Sequence, residues 1–337
     1  ASADLPYIGG CGTNSYNLIK HLSKINRYNV IGLFITNIDG NHNPDNLKNI
    51  YKINIDVDIE RNLNKVKEDI IKTYNSIDII LIKNYKTAAF ILRVFPSEKK
   101  IIITSGLRMF TNKIEEMNVT AEELLKQRYN SMDYVIENST FENGNIYDNV
   151  IKHDLYIEKY VYRNIRNIIT NSYLTKCVLN TSLNYKQLSI NEPNVINTTF
   201  IGYDKFDSLD FKERKYDVIF AAYNLSRKLK NYNLFVRLIQ SNKFNHLKIL
   251  IVGINDKVKI FDKTNIEYTG ILNNNELISL LKNTRSLICP SLYDSNPNII
   301  CEAMQCNCNI ITSNNVGNCA LVNQELVINN YYDENEW

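Results

Sequence analysis

No apolar run in the 337 residues approaches the ~18 needed to cross a bilayer, so no segment reads as a transmembrane helix. The opening residues, ASADLPYIGG, lack the basic, apolar and cleavage regions of a signal peptide. Charge of one sign is also scarce. The 39 Lys and Arg against 36 Asp and Glu leave +3, too little to point to nucleic acid as a partner. Neither G-x-G-x-x-G nor a Walker-A Lys-Ser/Thr pair occurs, which removes the two commonest phosphate-loop signatures. Histidine is rare, at 21, 42, 153 and 246, and none of the four neighbours the cysteines crowded at 289, 301, 306, 308 and 319. Cys306-x-Cys308 is too tightly spaced for zinc, so these thiols read as small buried apolar groups. The total of seven cysteines is odd, which suits a reducing compartment and predicts a cytoplasmic protein.

What the sequence does contain is alternation. Segments 28–35, 77–82, 100–104 and 166–170 read as buried parallel strands, with helices expected at 14–25, 60–75, 85–95, 121–130 and 171–180. A second series follows, with strands at 216–223, 247–253, 265–270, 285–290 and 309–312. Its helices are expected at 229–240, 275–283 and 297–305. The pattern predicts an α/β chain of two Rossmann-like doubly wound domains, 1–203 and 204–337, joined by a polar hinge within 200–215. Open parallel sheets bind ligands at the carboxyl ends of their strands, so two facing sheets would make a cleft there.

Three clusters stand out. In SLYDSNPNIICEAM, Pro297 suits a helix's first turn, with Ser295 or Asn296 as N-cap and the Asn298 and Ile299 amides at the helix mouth. Such a mouth attracts anions. Glu302 is able to reach back toward it and accept two hydrogen bonds from vicinal hydroxyls, as on a ribose; alternatively it only complements the helix dipole. In YIGGCGTNSY, Gly9, Gly10 and Gly12 suggest a tight turn ahead of a helix, either phosphate-binding or simply a turn. In AAYNLSRKLKNYNLF, Arg227, Lys228 and Lys230 open a helix, where acidic residues are the electrostatic norm. Three cations there could neutralise a departing diphosphate.

CPSLYDSNPNIICEAMQCNCNIITSNNVGN resembles the signature of retaining GT-B-fold glycosyltransferases of the family-four type. GGCGTNSYNLIKHL, IITNSYLTKCVL, FIGYDKF and LKILIVG are similar to further segments of that family. The resemblance implies transfer of a sugar from a nucleotide-diphosphate sugar with retention and without a metal. It implies a donor site in the second domain and an acceptor, on a glycan, lipid or protein, at the first. Glu302 then holds the ribose. Asp294, one methylene shorter than the family's glutamate, lies near the sugar. Asn296, Pro297 and Asn298 meet sugar and phosphate, and Gly270 and Ile271 read the base through the backbone. The family's Gly-Arg is Ala222-Tyr223 here, so Arg227 and Lys230, with Lys228 as rival, take the diphosphate and act in catalysis with Asp294. The family has a strand before the glycine loop and a helix after the last motif, so the sequence reads as an excerpt of a longer chain or a shortened enzyme.

Rival readings are an inactive nucleotide- or glycan-binding module and a dinucleotide oxidoreductase. Asp56-Val57-Asp58 echoes a metal-binding Asp-x-Asp, but it precedes a helix, where acids belong anyway. His153 ahead of a helix reads as structural.

Overall fold

The computed structural model describes residues 1–2, 6, 9–37, 40–55, 58–104, 111, 154–182, 194–195, 207–254, 264–330 and 333–337. The helix expected at 121–130, His153, Asp56 and part of the expected hinge (200–206) lie outside the described residues. The chain divides into two compact units, Ala1–Phe110 with Leu125–Ile196, and Thr111–Leu124 with Asn197–Trp337.

In the first unit, strands β1 (Gly32–Ile35) and β2 (Ile50–Ile53) pair in parallel. Strands β3 (Ile80–Ile82), β4 (Lys100–Thr104), β5 (Asn167–Thr170) and β6 (Asn194–Val195) form a second parallel sheet in chain order. The helices are α1 (Gly9–Ser23), α2 (Ile59–Tyr74), α3 (Tyr85–Val94), α4 (Asp154–Asn164) and α5 (Tyr173–Ser182). Asp58 precedes α2 at the N-cap position, without a capping hydrogen bond from its side chain.

The second unit contains β7 (Tyr216–Asn224), α6 (Tyr232–Gln240), β8 (Ile249–Ile254), β9 (Ile266–Tyr268) and α7 (Asn274–Lys282). It continues with β10 (Thr284–Cys289), α8 (Asn298–Gln305), β11 (Asn309–Ser313) and β12 (Val327–Ile328). All six strands are parallel, in the order β12-β11-β10-β7-β8-β9. Numbered from β7, that is 6-5-4-1-2-3, the order of a dinucleotide-type doubly wound sheet. Its strands are apolar on both faces because both faces are covered. Val218, Phe220, Ile249, Ile251 and Ile288 pack with Tyr232, Phe235 and Ile239 of α6. The alternating residues Ile219, Leu250, Val252, Leu287 and Ile310 pack with Ile278 and Leu281 of α7 and with Ile300 and Ala303 of α8. Cys289, Cys306 and Cys308 fill this second core as free thiols, the role their spacing predicts.

Strands β7 and β8 approach closely at their carboxyl ends, where the register shifts between Ala221 and Asn224. Gly253 makes the approach workable. Its φ is +144°, and a Cβ there would stand 1.9 Å from the Ala222 carbonyl oxygen. No other residue type fits.

Candidate functional site

Strand order reverses between β7 and β10, so the loops leaving their carboxyl ends diverge to opposite sides of the sheet and leave a crevice. The loop after β7 runs through a 3-10 turn, Lys228–Lys230, to Asn231, which adopts the left-handed conformation at φ 54°. Asn231 donates its N–H to the Lys228 carbonyl at 2.9 Å. Asparagine tolerates that conformation well. The three cations therefore do not open α6, as the sequence suggests. They sit on a separate turn before it, because Asn231 redirects the chain.

Two contacts stitch this turn to the loop after β10. The Leu292 N–H donates to the Leu229 carbonyl at 2.9 Å, and the Lys230 ammonium donates to Asp294 Oδ2 in an ion pair. Asp294 is fixed further by its own backbone. Its N–H donates to the Asn315 carbonyl at 3.1 Å, and its carbonyl accepts from the Gly317 N–H at 2.8 Å. Its second carboxylate oxygen, Oδ1, accepts from the Asn296 N–H at 3.3 Å. Burial pushes the Lys230 ammonium down, but the Asp294 charge overrides it, helped by the buried Cys289 thiol, and the net shift is upward. Arg227 opposes that rise, so its charge also reaches Lys230. Lys230 is thus cationic under all ordinary conditions. An ammonium has three donors and Asp294 takes one, so two can face an anion.

Arg227 and Lys228 are exposed on the same turn. Tyr223, at the end of β7 where the expected motif has arginine, is 69% exposed.

Helix α8 begins at Asn298, with Pro297 itself as the N-cap residue. This corrects the expectation of Ser295 or Asn296 as cap with Pro297 inside the first turn. Pro297 is extended at ψ 123°, outside helical range, and its carbonyl accepts from Ile300 at 3.2 Å and from the Asn318 side chain at 3.1 Å. The amides of Asn298 and Ile299 still open the helix. Side chains on a helix lean toward its N-terminus. Glu302, one turn beyond Asn298, therefore reaches back toward the mouth. It is 5% exposed and accepts from Asn274 Nδ2 at 3.1 Å. Burial raises its pKa to about 7, against the lowering effect of that hydrogen bond.

Asn274 escapes a reading of the sequence by motif. Asn273 and Glu276 form a reciprocal capping box that starts α7, with Asn273 accepting from the Glu276 N–H at 3.0 Å and donating to the Glu276 carboxylate at 2.8 Å. Gly270 and Ile271 lie just before it, after β9. Gly270 has φ +69°, its carbonyl accepts from Gly253 N–H at 2.8 Å, and Ile271 is 52% exposed.

Gly9, Gly10 and Gly12 form no turn ahead of a helix; they are the first residues of α1. Glycine only weakens a helix. The burial of Tyr16 against Phe34, ring centroids 6.5 Å apart, anchors the segment in helical form. These glycines belong to the first unit, whereas every other expected donor residue belongs to the second. Among the described residues no group of three or more His, Cys, Asp and Glu could hold a metal, and no helix is long and apolar enough to cross a membrane.

Two Rossmann-like units of this kind are the GT-B architecture, and solved structures of that fold superpose on nearly the whole chain. Sucrose-phosphate synthase from Thermosynechococcus elongatus matches with a TM-score of 0.60 at 12% identity, over 97% of this chain and 82% of that one. The Anabaena protein HepE in complex with UDP matches at 0.56 and 13% identity, over 96% and 83%. An E. coli trehalose-6-phosphate protein bound with UDP-2-fluoro glucose matches at 0.56 and 10%, over 100% and 88%. Identities this low speak for the fold alone. Residues 204–336 match the family Glycosyl transferases group 1. Among curated proteins compared by sequence, none matches.

Proposed function

We propose that this chain transfers a sugar from a nucleotide-diphosphate sugar to a hydroxyl of a glycan, lipid or protein acceptor, with retention of anomeric configuration and without a metal ion. The observation that carries the reading is the meeting of Lys230 and Asp294, from the loops after β7 and β10, at the reversal of strand order. The second unit binds the donor and the first the acceptor. Glu302 accepts the ribose hydroxyls, the backbone at Gly270 and Ile271 meets the base, and Asn296, Pro297 and Asn298 line the sugar and distal phosphate.

Breaking the anomeric C–O bond leaves its electron pair on the diphosphate. Lys230, Arg227 and the amides of Asn298 and Ile299 are preorganised for that charge, with Lys228 as a further cation on the turn. Losing one such group typically costs ~10²–10³ in rate. In same-face transfer the acceptor oxygen attacks as the diphosphate departs, and its proton passes to a phosphate oxygen. The side chains then need only bind and stabilise charge, and Asp294 orients Lys230 beside the sugar. UDP and a UDP-sugar in two structural neighbours make uracil the first base to try. The odd cysteine count supports a cytoplasmic location.

Calorimetric titration with UDP, GDP, ADP and NAD, with and without Mg²⁺ or Mn²⁺, tests the donor site. Metal-independent binding of one nucleoside diphosphate, lost in Glu302→Ala, is expected. Binding of NAD instead, or of a nucleotide only with metal, would overturn the reading. Ala222-Tyr223 in place of Gly-Arg, with Tyr223 exposed, favours a second reading as a nucleotide-binding module without turnover. Nucleotide affinity without nucleotide-sugar hydrolysis or transfer would identify it.

A further inference from the structure

The proposed ribose contact needs a carboxylate that is both ionised and correctly turned, and Glu302 meets neither condition unaided. It is 95% buried, since its exposure is 5%. Among the described residues no cation acts on it, and its hydrogen-bond partner is Asn274 Nδ2 at 3.1 Å. Asn274 is exposed at the first position of α7, and its side chain bridges to the second turn of α8. A hydrogen bond to one carboxylate oxygen fixes the plane of the group, which directs the other oxygen along a set line.

We infer that Asn274 is a positioning residue: by holding Glu302 Oε1 it turns the carboxylate toward a vicinal diol and keeps it charged, so that the site selects ribonucleotides over 2′-deoxyribonucleotides. The inference rests on the nucleotide-sugar reading above and adds a second residue and a selectivity to it. The remaining titratable groups around Glu302 do not interfere. Cys301 beside it and Cys306 beyond α8 are both raised to about 11 by burial and stay neutral near pH 7. Lys282, at the end of α7, acts on Cys306 and is no cause of the shift at Glu302.

The test measures affinities of UDP, GDP and ADP, each against its 2′-deoxy analogue, from pH 5.5 to 9. Taking the ratio cancels the ionisation of the phosphates, which both ligands share. In the wild-type chain the ratio should reach about 10- to 100-fold above pH 8, the worth of one hydroxyl hydrogen bond to a charged group. It should collapse toward unity as pH falls through about 7, where Glu302 takes up its proton. In Asn274→Ala the midpoint of that collapse should move up by about one pH unit, because the bond that favours the charged form is gone. Asn274→Gln should restore part of the shift, and Glu302→Gln should give a small ratio independent of pH. Asn274 is on the surface, so the variants should fold, which thermal melting checks. A ratio profile unmoved in Asn274→Ala, with nucleotide binding intact, would overturn the inference and leave the donor site standing. Failure of the wild-type chain to bind any of the three nucleotides would instead remove the nucleotide reading and the inference with it.

Discussion

Glu302 is the residue whose chemistry and stability pull in opposite directions. Its ordinary pKa of 4.5 rises to about 7 in the folded protein because burial disfavours the charge. Between those values the native state holds a proton that the unfolded chain has released, so folding stability falls as pH rises from about 4.5 to 7 and levels off above. The cost at pH 8 is on the order of 3 kcal/mol. Glu302→Gln, which keeps the shape and the Asn274 contact, should therefore unfold at higher denaturant concentration than the wild type at pH 8. At pH 5 the gain should be much smaller, and the preference for a ribonucleotide over its 2′-deoxy analogue should be weak at both. Urea titrations at the two pH values check this. Lys230 presents the converse case. Lys230→Ala leaves Asp294 in a partly buried setting without its counter-ion and should cost about 1–3 kcal/mol. A double variant with Asp294→Ala should recover part of that loss. Non-additivity in the double-mutant cycle is the measurement, and additive losses would mean that the pair contributes nothing.

At the scale of elements, two glycines near the site make unequal demands. Gly253→Ala must push a methyl against the Ala222 carbonyl, 1.9 Å away, across the β7–β8 pairing. It should destabilise the protein by about 3 kcal/mol or more. Gly270→Ala meets nothing within 4 Å and bears only the strain of φ +69°, about 1 kcal/mol. Thermal melting of the two variants separates crowding from backbone strain.

The long apolar strands of this unit were legible in the sequence because burial on both faces makes them near-continuous: YDVIFAAY, LKILIVG and RSLICP each fall within a residue or two of β7, β8 and β10. Strand β12, only Val327–Ile328, gave no period to read. Helix starts were less legible where one residue redirected the chain, at Asn231 before α6 and at Pro297 before α8. Asp294 and Glu302 could be picked out by motif. Asn274 could not, because its partner is 28 residues away and only the packing of α7 beside α8 joins them.

For the molecule as a whole, the division into two units has a testable meaning. The residues assigned to the nucleotide, apart from the α1 glycines, all lie within 204–337, and that stretch contains both core clusters of the second unit. Residues 204–337 expressed alone should bind the same nucleoside diphosphate within about tenfold of the full chain, a difference of no more than ~1.4 kcal/mol, while failing to transfer sugar. Calorimetry on this stretch is the check, and complete loss of binding by a folded fragment would show that residues before 204 supply part of the donor site.

The stitch between the loops after β7 and β10 also has a consequence in time. Lys230 and Asp294 are 64 residues apart, and Asp294 is held in place by Asn315 and Gly317. Long-range closures of this kind come late in folding. During synthesis the crevice cannot take shape until residue 317 has cleared the ribosome, although β7 and β8 are free to pair well before. A nascent chain therefore passes through a stage in which its core is largely assembled and the proposed donor site is not. Nucleotide could then act as a selective ligand for finished molecules, stabilising completed chains while leaving stalled ones unprotected.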